Sequence, residues 1–65
     1  MIDSFTYLNN TYRFEVKFSP EDNEYYGTCF EYPSLSHFDK TEELAMTGIK
    51  GLVKAVLFDI LNQVV

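Results

Sequence analysis

The stretch Glu24-Tyr-Tyr-Gly-Thr-Cys-Phe-Glu-Tyr-Pro-Ser-Leu-Ser-His-Phe38, running directly into Asp39-Lys-Thr-Glu-Glu-Leu-Ala-Met-Thr-Gly-Ile49, decides the fold. Residues 25 to 32 read as a strand with Tyr25, Gly27, Cys29 and Glu31 on one face and Tyr26, Thr28, Phe30 and Tyr32 on the other. Pro33 has no N–H to give to a ladder, so Leu35 to Phe38 is expected as a brief further strand at or near a sheet edge. Thr41 then reads as an N-cap, its hydroxyl placed to accept from the first helical turn, with Glu42 and Glu43 at the positive end of the helix dipole.

Upstream, Thr11 to Phe18 alternates strictly. Tyr12, Phe14, Val16 and Phe18 point one way, and Thr11, Arg13, Glu15 and Lys17 the other, the period of a half-buried strand. Ser19-Pro-Glu-Asp-Asn23 collects turn formers and predicts a hairpin loop between the two strands. Phe5, Tyr7 and the Asn9-Asn10 pair read either as an extra short strand with a tight turn or as a leader continuing the first strand.

Downstream of Thr41, apolar residues recur at three- and four-residue spacing through Ala45, Ile49, Leu52, Val53, Val56, Leu57, Ile60 and Val64, an amphipathic stripe. Gly48 and Gly51 each disfavour a helix interior by about 1 kcal/mol relative to alanine. Their presence predicts a turn pressed closely against the sheet. Phe58 and Leu61 make the second half apolar around most of its circumference. A helix from Thr41 to Gln63 is about 35 Å long and outruns an eight-residue strand of about 27 Å. It therefore either breaks near residues 59 to 62 or packs its last turns on another subunit.

The chain has 65 residues, and a domain of that size buries only about 60% of the surface its unfolded chain exposes. Small domains offset this with disulfides, metals or self-association. A single cysteine, Cys29, and a single histidine, His37, exclude an intramolecular disulfide and a four-ligand zinc site, which leaves oligomerisation. Composition is 46% hydrophobic and 17% aromatic, well outside the range of disordered segments. Met1-Ile-Asp-Ser shows no secretory leader, and Lys50, Lys54 and Asp59 interrupt the longest apolar run, so a cytoplasmic location is expected. Ten acidic against five basic residues give a net charge of −5. That balance disfavours direct nucleic-acid binding and favours encounter with a basic protein.

The residues that carry chemistry elsewhere read blandly here. His37 lacks a nucleophile or partner at catalytic spacing and reads as a surface or edge histidine. Cys29 has no neighbouring base to activate it and reads as a small buried hydrophobe. Glu21, Asp22 and Glu24 match no calcium-loop spacing and read as a solvated turn. No catalytic residue, metal or cofactor is implied. Tyr26, Phe30 and Tyr32 are different, because a single helix covers only one face of a sheet. Either they form an exposed aromatic interaction surface, or the strand is flipped and they are core.

The order Glu24-Tyr25-Tyr26-Gly27-Thr28-Cys29-Phe30-Glu31-Tyr32-Pro33-Ser34-Leu35-Ser36, then Thr41-Glu42-Glu43-Leu44-Ala45, then Gly48-Ile49-Lys50-Gly51-Leu52-Val53, resembles the HicB antitoxins and HicB-like proteins of bacteria, in particular their short branch. The likeness spans about residues 11 to 58. It implies a β-β-β-α arrangement similar to a truncated ribonuclease H fold without ribonuclease activity. It further implies a dimerising antitoxin of a type II toxin-antitoxin system that sequesters a small basic messenger-RNA interferase by covering its catalytic histidine. Many members add a C-terminal promoter-binding module, for which these 65 residues leave no room, so promoter binding is not expected of this chain. The family's face assignment puts Tyr25, Gly27 and Cys29 under the helix and Tyr26, Phe30 and Tyr32 toward a partner.

The expected molecule is thus one α+β domain, a three-stranded antiparallel sheet with or without an extra N-terminal strand, covered on one face by a helix. Its expected partner or self-association surface comprises Tyr26, Phe30, Tyr32, Leu57, Phe58 and Leu61. The alternative function is a stand-alone homo-oligomeric structural or regulatory module with no toxin.

Overall fold

A computed structural model describes residues 1–62, with side chains described through Asp59. Four strands, β1 (Ile2–Tyr7), β2 (Asn10–Ser19), β3 (Glu24–Cys29) and β4 (Ser36–Asp39), precede one helix, α1 (Glu42–Asn62). The strands form an antiparallel meander in the order β1-β2-β3-β4. The extra N-terminal strand is therefore present, and the fold is α+β. None of the helices among the described residues is long and apolar enough to cross a membrane.

Each turn has a local cause. Tyr7 pairs with Asn10 across a two-residue loop in which Leu8 and Asn9 both adopt left-handed backbone, at φ 49° and 67°. Two positive φ values are the signature of the type I′ turn, whose twist matches that of the strands it joins. The Pro20–Asn23 loop is held by the Ser19 hydroxyl donating to Asp22 at 3.0 Å and closes on Asn23, also left-handed at φ 52°.

The strand β3 ends at Cys29, earlier than Tyr32 where the sequence alternation places its end. Arg13, next in register, gives its N–H to the Glu31 carboxylate at 2.6 Å, and its Nε donates to the same group at 2.9 Å. Two successive turns follow, the Tyr32 N–H donating to the Cys29 carbonyl and the Leu35 N–H to the Tyr32 carbonyl. This rotates Tyr32 off the open face to the helix side, where it stacks on Tyr12 with ring centroids 6.0 Å apart and planes 3° from parallel. Tyr32 is thus a flank of the core, and its assignment to the open aromatic face is corrected.

The core lies between α1 and one face of the sheet. Phe14, Val16 and Tyr12 from β2, Cys29 from β3, and Ala45, Met46, Ile49 and Val53 from α1 are buried there. Burial and dispersion contacts of this set supply most of the stabilisation, at about 1.5–3 kcal/mol per large buried side chain. The helix begins as its cap dictates, the Leu44 N–H donating to Thr41 Oγ1 at 3.1 Å. It continues unbroken to Asn62, so the expected alternative of a break near residues 59 to 62 is not realised through that point. Leu52, placed on the buried stripe by periodicity, is exposed, and Met46 takes its place in the core.

Two glycines set the distance between the layers. A Cβ on Gly27 would lie 2.7 Å from Ile49 Cγ2 and 2.8 Å from the Ala45 carbonyl oxygen, so β3 and α1 meet there backbone to backbone. A Cβ on Gly48 would fall within 2.0 Å of the His37 ring, which lies under the helix. Gly51 has open space around it, so the close packing expected at Gly51 is absent and holds only at Gly48. The helix runs obliquely, over His37 of β4 and Gly27 of β3 near its start. It reaches β1 only through side chains, Lys50 to Asp3 and Lys54 over the Phe5 ring at 5.5 Å.

Candidate functional site

Two regions of surface are built by residues far apart in sequence. The first lies at the end of the sheet where the β2–β3 loop, the end of β4 and the start of α1 meet. Register pairs Tyr25 with Asp39, while Tyr25 shares a hollow with Lys40, Glu42 and Glu43. Asp22 and Glu24 flank Phe38 beside it. With Glu21 in the same loop, six carboxylates and one lysine gather at this pole. The chain's other four acidic and four basic side chains cancel, so the whole net charge of −5 resides here. The cancelling groups are largely paired, Arg13 with Glu31, Lys17 with Glu15 at 3.5 Å, and Lys50 with Asp3.

Next to the pole the face of the sheet opposite the helix carries aromatic surface. Tyr26 and Phe38 are cross-strand partners and stack with centroids 5.4 Å apart. Phe38 is 46% exposed. Phe30, 53% exposed, sits farther along that face beneath the Arg13 guanidinium at 5.2 Å. Of the three aromatics expected to face a partner, the structure brings Tyr26 and Phe30 onto the open face. Phe38 was missed as a site residue, and its signal was the Tyr26 register, which brings β4's outward aromatic against β3's.

The second region is an apolar cleft of about 410 Å³ between β1 and the second half of α1, lined by Phe5, Thr6, Tyr7, Lys54, Leu57 and Phe58. Leu57 is half-buried and packs on the edge of the core, whereas Phe58 is 64% exposed. Leu57 and Phe58 are thus placed together with β1, while the side chain of Leu61 lies outside the described residues. Phe5 and Tyr7 were not anticipated as site residues, because their role depends on β1 being a strand at the sheet edge.

Compared with known proteins, the chain matches no family model, no curated protein and no solved structure.

Three carboxyls are held below their usual range. The Lys50 ammonium and the Ser4 N–H do this for Asp3, the Arg13 N–H and guanidinium for Glu31, and the Lys40 N–H with the His37 ring for Asp39. Burial pushes the Tyr12 hydroxyl up. These shifts belong to structural contacts. His37 Nε2 lies 3.1 Å from Asp39 Oδ2 with its ring under Gly48, a packing role for the histidine. Cys29 is buried at 1% exposure. Among the described residues no three His, Cys, Asp or Glu side chains are grouped to hold a metal ion. What the arrangement offers chemically is a fixed anionic field beside flat apolar rings.

Proposed function

We propose that this domain is an antitoxin-like protein of a type II toxin-antitoxin system, without catalysis of its own. It neutralises a small basic messenger-RNA interferase in the cytoplasm by covering it. The observation that carries this reading is the concentration of the entire net charge at one pole, adjoining the exposed Tyr26–Phe38 stack. Such a surface complements a toxin whose basic face engages RNA phosphates. The negative field speeds encounter, and the aromatic rings supply the desolvated contact that slows release. The resemblance of the Glu24–Ser36 and Thr41–Val53 stretches to HicB-like proteins supports the same reading.

The deciding experiment is to inspect the genes beside it for a small basic protein and to co-express the two; the lack of any such neighbour counts against the reading. Co-purification and suppression of RNA cleavage are expected, and replacing Glu42 and Glu43 together by lysine should abolish both. Absence of binding by the unaltered chain removes the antitoxin assignment. The alternative, a homo-oligomeric module with no toxin, is favoured by the apolar cleft alone, which lies away from the charged pole.

A further inference from the structure

We propose that two copies of this chain join through their β1 edges, antiparallel and with Ser4 opposite Ser4, into one continuous eight-stranded sheet whose two apolar clefts close on each other.

Three independent observations converge on this edge. The first is its unpaired backbone. Met1 and Val16 exchange hydrogen bonds, at 2.8 Å and 3.4 Å, so by antiparallel alternation Asp3, Phe5 and Tyr7 bond to β2, and Ile2, Ser4 and Thr6 face outward. The strand is six residues long and carries no proline or bulge to discourage pairing. One outward N–H, that of Ser4, is taken by its neighbour Asp3 Oδ1 at 2.8 Å, a carboxylate oxygen standing where the carbonyl of an adjacent strand would.

The second is the cleft along the same edge. The helix reaches β1 only with side chains, which leaves Phe5, Tyr7 and Phe58 around a hollow of about 410 Å³. A two-fold axis perpendicular to the sheet keeps both helices on one side and turns the two hollows toward a common centre. The Ser4-centred register sets Tyr7 opposite the second copy's Met1, 50% exposed in the single chain, beneath Phe58.

The third is charge. The pole that holds the net charge of −5 lies at the β2–β3 loop, whereas β1 runs beside Asn10–Glu15 at the other end of β2. Copies meeting at β1 keep their like charges apart. The register is also complementary, since Phe5, which carries Lys54 above its ring, falls opposite the second copy's Asp3. Each Asp3 released from Ser4 then lies between its own Lys50 and the partner copy's Lys54.

The test needs only this chain, so its result is separate from any result with a toxin. Sedimentation at micromolar concentration should give a dimer mass, and Phe58→Asp, at an exposed position, should give a folded monomer. Under oxidation Ser4→Cys should cross-link far more readily than Thr6→Cys, because the opposed Ser4 Cα atoms, about 5.5 Å apart in a hydrogen-bonded pair, fall within disulfide reach. The two copies of Thr6 are separated by well over the roughly 7 Å limit. The unaltered chain controls for Cys29, which is buried. A monomeric unaltered chain overturns the proposal. So does a dimer in which Thr6→Cys cross-links as readily as Ser4→Cys.

Discussion

Leu8 holds a left-handed backbone at φ 49° with a side chain 65% exposed to water. Left-handed backbone costs an L-residue with a bulky side chain about 1–2 kcal/mol, and less for asparagine, whose short amide bonds locally. Leu8→Asn should therefore stabilise the domain by about 1 kcal/mol, read as a higher urea midpoint with unchanged slope. An unchanged or lower midpoint would show that Leu8 contributes packing that outweighs its strain. Titration gives a second expectation at this scale. Asp3, Glu31 and Asp39 have carboxyls held below their usual range by their partners in the folded chain. A depressed folded value means stability that is fully present above the unfolded carboxylate range near pH 4 and is lost as pH falls through the folded values. Acid unfolding followed by circular dichroism should begin at a higher pH in Glu31→Gln, which cannot hold the Arg13 guanidinium as an anion. An unmoved midpoint would show that the charge of Glu31 beside Arg13 adds no stability to the folded chain. Asn23 was readable as a turn residue from its surroundings, whereas Leu8 was not, because no property of leucine announces a positive φ.

At the scale of elements, the closeness of α1 to the sheet is fixed by Gly27 and Gly48, and the helical glycines separate by what faces them. Gly51→Ala meets open space and should stabilise by about 0.5–1 kcal/mol through helix propensity. Gly48→Ala drives a methyl into the His37 ring and should destabilise by about 1–2 kcal/mol. In a His37→Ala background the same change should become stabilising, a coupling that a double-mutant cycle measures directly. Additive effects would place the cost of Gly48→Ala elsewhere than the ring. The elements themselves were mostly legible. Strict alternation over Thr11–Phe18 gave β2, and Thr41 with Glu42 and Glu43 gave the helix start. Two things were hidden, and both are decided in tertiary contacts. The end of β3 depends on Glu31 capturing Arg13, 18 positions away. The choice between strand and leader for residues 2 to 7 depends on six register pairs with β2. Gly48 and Gly51 look alike in sequence because helix periodicity does not record which neighbour each one faces.

For the whole molecule, the decisive property is the separation of its charged pole from its apolar cleft, which share no lining residue. Sequence composition supplied the net charge but not its location, since the pole is assembled from the β2–β3 loop, the end of β4 and the first turn of α1. Separation of charge from the apolar cleft lets one chain present two surfaces without conflict. In the proposed complex with a basic toxin, the two contributions to affinity then respond to different perturbations. Salt shortens the Debye length from about 10 Å at 0.1 M to about 3 Å at 1 M, which screens the pole while leaving ring contacts intact. Association rate should therefore fall with ionic strength, while dissociation changes little. Replacing Glu42 and Glu43 by glutamine should flatten that salt dependence. Phe38→Ala should instead speed dissociation about tenfold or more, about 1.4 kcal/mol, with the salt dependence of association preserved. Stopped-flow association and dissociation at several salt concentrations distinguish the two effects. If Phe38→Ala leaves dissociation untouched while the pole variants abolish binding, the aromatic stack lies outside the interface and the occluding contact is the pole alone.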